Sequence, residues 1–272
     1  MTDGLDDVRS HYRATGLTER LKTALTVLGP QDQQLTPQQL SALDQFHTRG
    51  LAATAELATL AEITAGMAVL DVGSGVGGPA RFLAATYGCR VTGVDLSEPF
   101  VDAARYLTER TGQSGQVAFE IASALELPFD GGRFDVALLQ HVAMNISDRA
   151  RLYREIRRVL KLGGRFATFD VVLNSGEPHY PLPWARTPAT SFLLTAAATR
   201  QAIEPAGFRT LAWQDDTEAA KAWIAQLRAS GAPPSLNLGV VMGPDFAQLS
   251  ANFGRNLMES RLGILIAMFD AV

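Results

Sequence analysis

Between Met67 and Val72 the chain runs through a short apolar stretch that Gly73, Gly75, Gly77 and Gly78 stop abruptly. An apolar run of that length, bounded by glycine, reads as a strand buried on both faces of a parallel sheet. Helical spacing follows from Ala80 to Tyr87, then a second apolar run from Arg90 to Val94. Parallel neighbours need a crossover between them, so the pattern is a βαβ unit and commits the chain to an α/β architecture. The alternation continues with a helix over Pro99 to Arg110, strands over Val117 to Ile121 and Phe134 to Leu139, and an amphipathic helix over Ser147 to Leu160. In that helix Arg149, Arg151, Arg154 and Arg157 read as a solvated face. Gly163-Gly164 turns the chain into a strand over Arg165 to Val171. A helix over Pro188 to Ala206, a strand over Phe208 to Gln214, helices over Thr217 to Ala229 and Pro244 to Ser260, and a strand over Leu262 to Phe269 complete the pattern. The expected fold is a doubly wound, mostly parallel seven-stranded sheet.

Ahead of the first strand the spacing is helical. One helix is expected from Val8 to Leu28, ended by Gly29-Pro30, and a third from Gly50 to Ile63. Between them Thr36-Pro37-Gln38-Gln39 has the form of a capping box, with Pro37 at the first helical position. Residues 1–50 are therefore expected as a helical cap on a domain spanning 51–272. The proline- and aromatic-rich stretch 173–188 is expected to run over the ligand side as an insertion.

Composition narrows the function classes. The 272 residues are 47% apolar and 19% charged, and the net charge is −4 with no basic segment, so no electrostatic footprint for nucleic acid is expected. Cys89 is the sole cysteine, which excludes intrachain disulfides and zinc sites built on several thiolates; it reads as a small buried hydrophobe. Met1 to Ser10 is polar and acidic, unlike a secretory leader, and no apolar run approaches the roughly 18 residues of a membrane span. A cytoplasmic protein with small-molecule partners is expected.

The spacing Gly73-x-Gly75-x-x-Gly78 also satisfies the dinucleotide fingerprint, so a nicotinamide enzyme is a rival reading. The two cofactor types make different demands. A dinucleotide brings an anionic pyrophosphate to the helix N-terminus, whereas S-adenosylmethionine brings an ammonium that wants a carboxylate beside the loop. Asp71, two residues before the first glycine, is placed to compensate that ammonium directly or through water. Gly73, Gly75 and Gly77 are expected to admit the methionyl and ribose portion closely, since a Cβ would fill that space. Asp95 closes the second strand where a ribose-binding acid is expected, with two oxygens able to accept from both hydroxyls.

On these residues the chain resembles the class I S-adenosylmethionine-dependent methyltransferases. Val69 to Arg81 resembles their first motif, Val91 to Ser97 their acidic loop, Leu127-Pro128-Phe129 with Phe134-Asp135 the adenine loop and fourth strand, and Arg158 to Gly164 the turn before the fifth strand. The likeness covers roughly Leu43 to Val172. Asp44-Gln45-Phe46-His47, His141 to Ile146 and Pro181 to Ala185 are closest to small-molecule enzymes of the sarcosine/dimethylglycine N-methyltransferase type and to ubiquinone and menaquinone C-methyltransferases. The resemblance implies a cofactor shell of Asp71, Gly73, Ser74, Gly75, Gly77, Asp95, Leu96, Ser123, Ala124, Leu125, Gln140 and His141, with Gln45 and His47 from the cap. Where many members carry an acid before the adenine loop, this chain has Ala122-Ser123-Ala124-Leu125, leaving the adenine amine to the Ser123 hydroxyl or to backbone.

Methyl transfer from a sulfonium needs alignment, exclusion of water and, for some acceptors, removal of a proton. His141, at the carboxyl edge of the fourth strand, is the candidate general base. Tyr12, Met144, Asn145, Asp170, His179, Tyr180 and Trp184 are candidate acceptor contacts, the aromatic ones as walls or as a cradle for a cationic nitrogen. Asn145 or Ser147 is alternatively the N-cap of the following helix. No carboxylate cluster for a metal can be assembled from the sequence. The expected activity is methylation of a small molecule, nitrogen slightly preferred over oxygen or carbon. The alternatives are an O- or C-methyltransferase of a natural product or quinol, a nicotinamide-dependent oxidoreductase, and a non-catalytic scaffold.

Overall fold

The computed structural model describes residues 12, 16–231 and 236–272. Seven strands form one sheet: β1 Ala68–Val72, β2 Arg90–Asp95, β3 Val117–Ile121, β4 Phe134–Gln140, β5 Leu160–Leu173, β6 Phe208–Asp215 and β7 Leu262–Ala271, in the order β3-β2-β1-β4-β5-β7-β6. Strands β1 to β5 run parallel, whereas β7 is antiparallel to both β5 and β6. The chain leaves β1 toward β2 on one side and returns later as β4 on the other. The carboxyl end of β1 is therefore a topological switch point, where open α/β sheets bind ligands.

The long helices are α1 Leu17–Leu25, α2 Pro37–Asp44, α3 Gly50–Leu60, α4 Gly78–Tyr87, α5 Glu98–Arg110, α6 Arg149–Val159, α7 Ala196–Ile203, α8 Thr217–Ala229 and α10 Phe246–Met258, with a short α9 at Gly239–Met242. Alternation along β1 sends Val69 to a core with Leu57, Leu83 and Leu138, and Leu70 to one with Leu152, Ile156 and Phe269. A third cluster joins Leu21, Leu40 and Leu43 of the cap to Val76, Phe100 and Leu107. The helices before β1 thus pack on the loop after β1 and on α5. The Thr36 capping box forms as expected, with Thr36 accepting from the Gln39 N–H and Gln39 reciprocating. The expected Val8 to Leu28 helix begins outside the described residues; within them it runs Leu17–Leu25 and ends in a 3-10 turn.

Three expectations need correction. The N-cap of α6 is Asp148, which accepts from the Arg151 N–H at 2.9 Å, rather than Asn145 or Ser147. Arg149 is not on a solvated face: it is buried and donates to the Tyr153 hydroxyl and the Phe192 carbonyl. The expected helix over Pro188 to Ala206 shrinks to α7, because Ser191 to Leu194 is held extended. There the Phe192 N–H donates to the Met144 carbonyl and the Leu194 carbonyl accepts from the Leu173 N–H. These long-range bonds override the local helical spacing.

Arg81, wholly buried, joins three helices. Its guanidinium donates to the Asp44 carboxylate at 2.9 Å and to the Ala104 carbonyl and Thr108 hydroxyl at 3.2 Å. A Cβ on Gly78 would collide with Asp44 and Gln45, so glycine there lets α4 lie against the end of α2. Breaking such a pair leaves a buried charge alone. We expect Asp44→Asn and Arg81→Met each to cost about 3–5 kcal/mol in urea unfolding, and the double variant to cost clearly less than the sum.

Candidate active site

The loop after β1 is pinned to the end of β2, where the Val94 carbonyl accepts from the N–H groups of Gly73 and Ser74. Asp95 reinforces it: one carboxylate oxygen accepts from the Gly75 N–H and the other from the Ser97 N–H, both at 2.9 Å. Each oxygen retains a lone pair, so the expected ribose role remains chemically available. Gly73 and Gly75 face a cavity of about 940 Å³ and both have positive φ. A Cβ on Gly75 would come within 2.7 Å of the Phe46 ring. Gly77 differs from expectation. It lies outside the cavity lining, and its missing Cβ makes room for Phe119 and Arg81. Ser74 also lies outside the lining, its buried hydroxyl without a partner.

Asp71 lies behind this loop, 2% exposed, with one carboxylate oxygen that has no hydrogen-bond partner. Burial, and then the charge of Asp95, push its carboxyl up to about 7. A buried carboxylate in that state is incomplete, although Asp71 itself lies outside the cavity lining, behind Gly73 and Gly75.

At the end of β4, Gln140 and His141 enter the cavity wall together with Gln45 and His47 of the cap. Thr54, on α3, joins them and was not signalled by the sequence. Its hydroxyl lies 3.1 Å from His47 Nε2 and 3.3 Å from both Gln45 Oε1 and Gln140 Oε1. His47 Nδ1 faces the Thr48 carbonyl at 3.1 Å, so Nδ1 is assigned the proton and Nε2 accepts from Thr54. One hydroxyl proton cannot serve three acceptors. Gln140 is therefore assigned with its amide N–H donating to Thr54 and its carbonyl turned toward the site, which also resolves an otherwise unpartnered buried amide nitrogen.

His141 adopts a left-handed backbone (φ 54°) and stacks on Phe169 with ring centroids 5.2 Å apart. Its Nε2 is buried without a partner, and among the described residues no carboxylate bonds to the ring. Burial, aided by the nearby His47, holds its pKa well below the usual imidazole range, and burial pushes His47 down to about 4. Both rings are neutral at physiological pH.

Leu96, Ser123, Ala124 and Leu125 also line the cavity, with the Ser123 hydroxyl accepting from the Leu125 N–H at 3.1 Å. Of the candidate acceptor contacts, Met144, Asn145 and Trp184 line it, and Tyr12 donates to Asn145 Oδ1 at 3.3 Å. Asp170, His179 and Tyr180 do not line it. The Asp170 carboxylate turns inward to accept from the N–H groups of Ala143 and Val171. His179 pairs with Glu259 at 2.7 Å, and Tyr180 packs against the core. The stretch 173–188 thus contributes Pro183 and Trp184 alone to the described wall, and the larger share comes from α8, α9 and α10 between β6 and β7. Among the described residues no group of three His, Cys, Asp or Glu is placed to hold a metal, and no helix is long and apolar enough to cross a membrane.

The sheet order, with β7 antiparallel between β5 and β6, is that of the Rossmann-like methyltransferase fold, and an acid-flanked glycine loop lies at its switch point. Residues 70–168 match the methyltransferase domain family. Methyltransferase GfsG of Streptomyces halstedii is 35% identical over 133 residues, 49% of this chain and 48% of that protein. Sarcosine/dimethylglycine N-methyltransferase of Halorhodospira halochloris is 32% identical over 150 residues, 55% of this chain and 54% of that one. The chain spans about half the length of these curated relatives. Further relatives are named as O-methyltransferases and as a sterol 24-C-methyltransferase. The solved (4+2)-cyclase SpnF superimposes with a TM-score of 0.69 at 25% identity, covering 98% of this chain and 96% of that one.

Asp71 gives the site a pH signature. Its folded pKa near 7 lies above its ordinary value of 3.8, so the folded protein holds a proton there that the unfolded chain releases. Stability from this group is complete at low pH and is lost as pH rises toward and through 7. Relative to Asp71→Asn, the ligand-free protein should lose up to about 4 kcal/mol between pH 4 and 8 in urea unfolding.

Proposed function

We propose that the protein transfers a methyl group from S-adenosylmethionine to a small-molecule acceptor. The observation that carries this is the buried, unpartnered Asp71 carboxylate behind the Gly73 and Gly75 loop. An ammonium suits that position, and a pyrophosphate would meet repulsion from Asp71 and Asp95 together. The antiparallel β7 also departs from the dinucleotide-binding strand order of the nicotinamide rival. The residues fit the cofactor: Asp71 for the ammonium, Gly73 and Gly75 for close backbone approach, Asp95 for the ribose, and Leu96 with Ser123 to Leu125 around the adenine.

When bound, S-adenosylmethionine supplies an activated methyl on a sulfonium. The acceptor's lone pair forms the new bond to the methyl carbon as the carbon–sulfur bond breaks, its electrons going to sulfur, and any acceptor proton passes to solvent. The protein's part is alignment and exclusion of water. Tyr12 and Asn145 close the site from the cap and the loop after β4, and Thr54 fixes Gln45, His47 and Gln140 in one arrangement. His141 acts by hydrogen bonding and orientation. Without a carboxylate partner, and held neutral by burial, it is a weak base, which departs from the general-base expectation.

A second reading has one observation in its favour: the whole-chain likeness to a cyclase joined to a cavity without an ionised base. It predicts substrate isomerisation with no change in mass. Incubation with S-adenosylmethionine and a panel of glycine derivatives, quinols and phenols, followed by mass spectrometry, separates the two, since methyl transfer adds the mass of one methylene unit. In calorimetry S-adenosylhomocysteine should give a saturable heat and NAD none; the reverse result defeats the proposal.

Three further outcomes are expected. Affinity for S-adenosylhomocysteine should rise with pH through about 7, as Asp71 ionises. In Asp71→Asn it should fall roughly 10- to 100-fold and lose that dependence, a charge-assisted bond being worth about 1.5–3 kcal/mol. His141→Ala should lower kcat roughly 10- to 100-fold, while wild-type kcat shows no inflection between pH 6 and 8, because His141 is already neutral there.

A further inference from the structure

The wall opposite the cofactor loop is built by the β6–β7 connection. Trp223 and Ile224 of α8, Leu238 and Met242 at either end of α9, and Phe246 and Phe253 of α10 face the cavity. All six are only partly buried, although they sit within a ring of helices. Large apolar side chains left half-covered toward one cavity are completed by an apolar occupant. The cavity's size, near the upper end of the roughly 300–1,000 Å³ of ligand pockets, leaves room for a second molecule beside a nucleoside cofactor.

The charges point the same way. Among the described residues of the lining, the ionisable side chains are Tyr12, His47, Asp95, His141 and Arg228. Burial keeps Tyr12 and both histidines neutral. Asp95 is committed to the cofactor loop through Gly75 and Ser97. Arg228 is exposed, with its guanidinium lying over Gly254. A carboxylate or phosphate carried to the transfer point would lose its water and find no buried cation among the described lining residues, a strongly unfavourable exchange.

We infer that the acceptor is an uncharged molecule with a bulky apolar body, seated against α8, α9 and α10, and not a small zwitterion or a phosphorylated amine. The inference rests on the methyl-transfer reading and specifies its acceptor.

The test uses the full chain saturated with S-adenosylhomocysteine and the uncharged solvatochromic dye Nile red as probe. Saturable binding with a blue-shifted emission is expected. Ile224→Glu and Met242→Glu should each weaken it at least tenfold, Arg228→Ala should change it less than twofold, and calorimetric affinity for S-adenosylhomocysteine should stay within twofold in all three. That retained affinity reports a folded variant. Dye binding that is absent from the wild type, or indifferent to both glutamates, overturns the inference. So does turnover in which sarcosine, dimethylglycine or phosphoethanolamine gains a methyl group while uncharged quinols and phenols do not, a result that leaves the methyl-transfer reading standing. Loss of all S-adenosylhomocysteine heat in the wild type overturns that underlying reading instead.

Discussion

The guanidinium of Arg81 is the interaction on which the site depends. It starts on α4, the helix that the glycine loop launches, and reaches Asp44 at the end of α2 and the backbone of α5 at Ala104. The residues immediately after Asp44 are Gln45, Phe46 and His47, which cover the loop and the end of β4. Arg81 thus fixes the cap where its side chains meet the sheet's switch point. The sheet alone would present an open edge, and the pair between Asp44 and Arg81 holds the covering residues that make that edge one side of a cavity.

Enclosure sets the electrostatics. Removing water holds His47 and His141 neutral and leaves Asp71 and Asp95 as neighbouring acids, each raising the cost of the other's charge. The ligand-free site is therefore short of positive charge on its cofactor side and nearly uncharged on the other. A cationic cofactor and a neutral acceptor complement these two halves. One polar network, centred on Thr54, spans the boundary and connects cap, α3 and β4.

The parts of this arrangement that rest on local rules were legible in the sequence. The apolar run into the glycines, the acids at 71 and 95, the strand–helix alternation and the Thr36 capping box depend on neighbours a few positions away, and each appears at its expected place. What depends on distant partners was hidden. Arg149 has the spacing of a surface arginine, and only the Phe192 carbonyl, brought in from another segment, explains its burial. Asp148 outcompetes Asn145 for the helix cap because Asn145 is engaged with Tyr12 and the Val142 carbonyl. Gly77 and Gly73 look alike in sequence, yet Gly77 lies off the cavity and makes room for Phe119, whereas Gly73 lines the cavity and makes room for Val142. The acceptor wall was misplaced for the same reason. The aromatic stretch 173–188 carries the stronger composition signal, but the return of β7 into the sheet decides which helices overlook the switch point.

That return has a consequence for the order of assembly. Among the described residues strand β6 pairs with β7 alone, and β7 enters between β5 and β6 rather than adding at an edge. While β7 is still being synthesised, β5 ends the sheet as an unpaired edge of 14 residues, and β6 with α8, α9 and α10 has no ladder to join. The cofactor half of the molecule is complete in sequence by then, so during synthesis a nascent chain can acquire its nucleotide-facing loops before any acceptor chamber exists. Until β7 closes the sheet, the exposed β5 edge is the position most open to pairing with another chain.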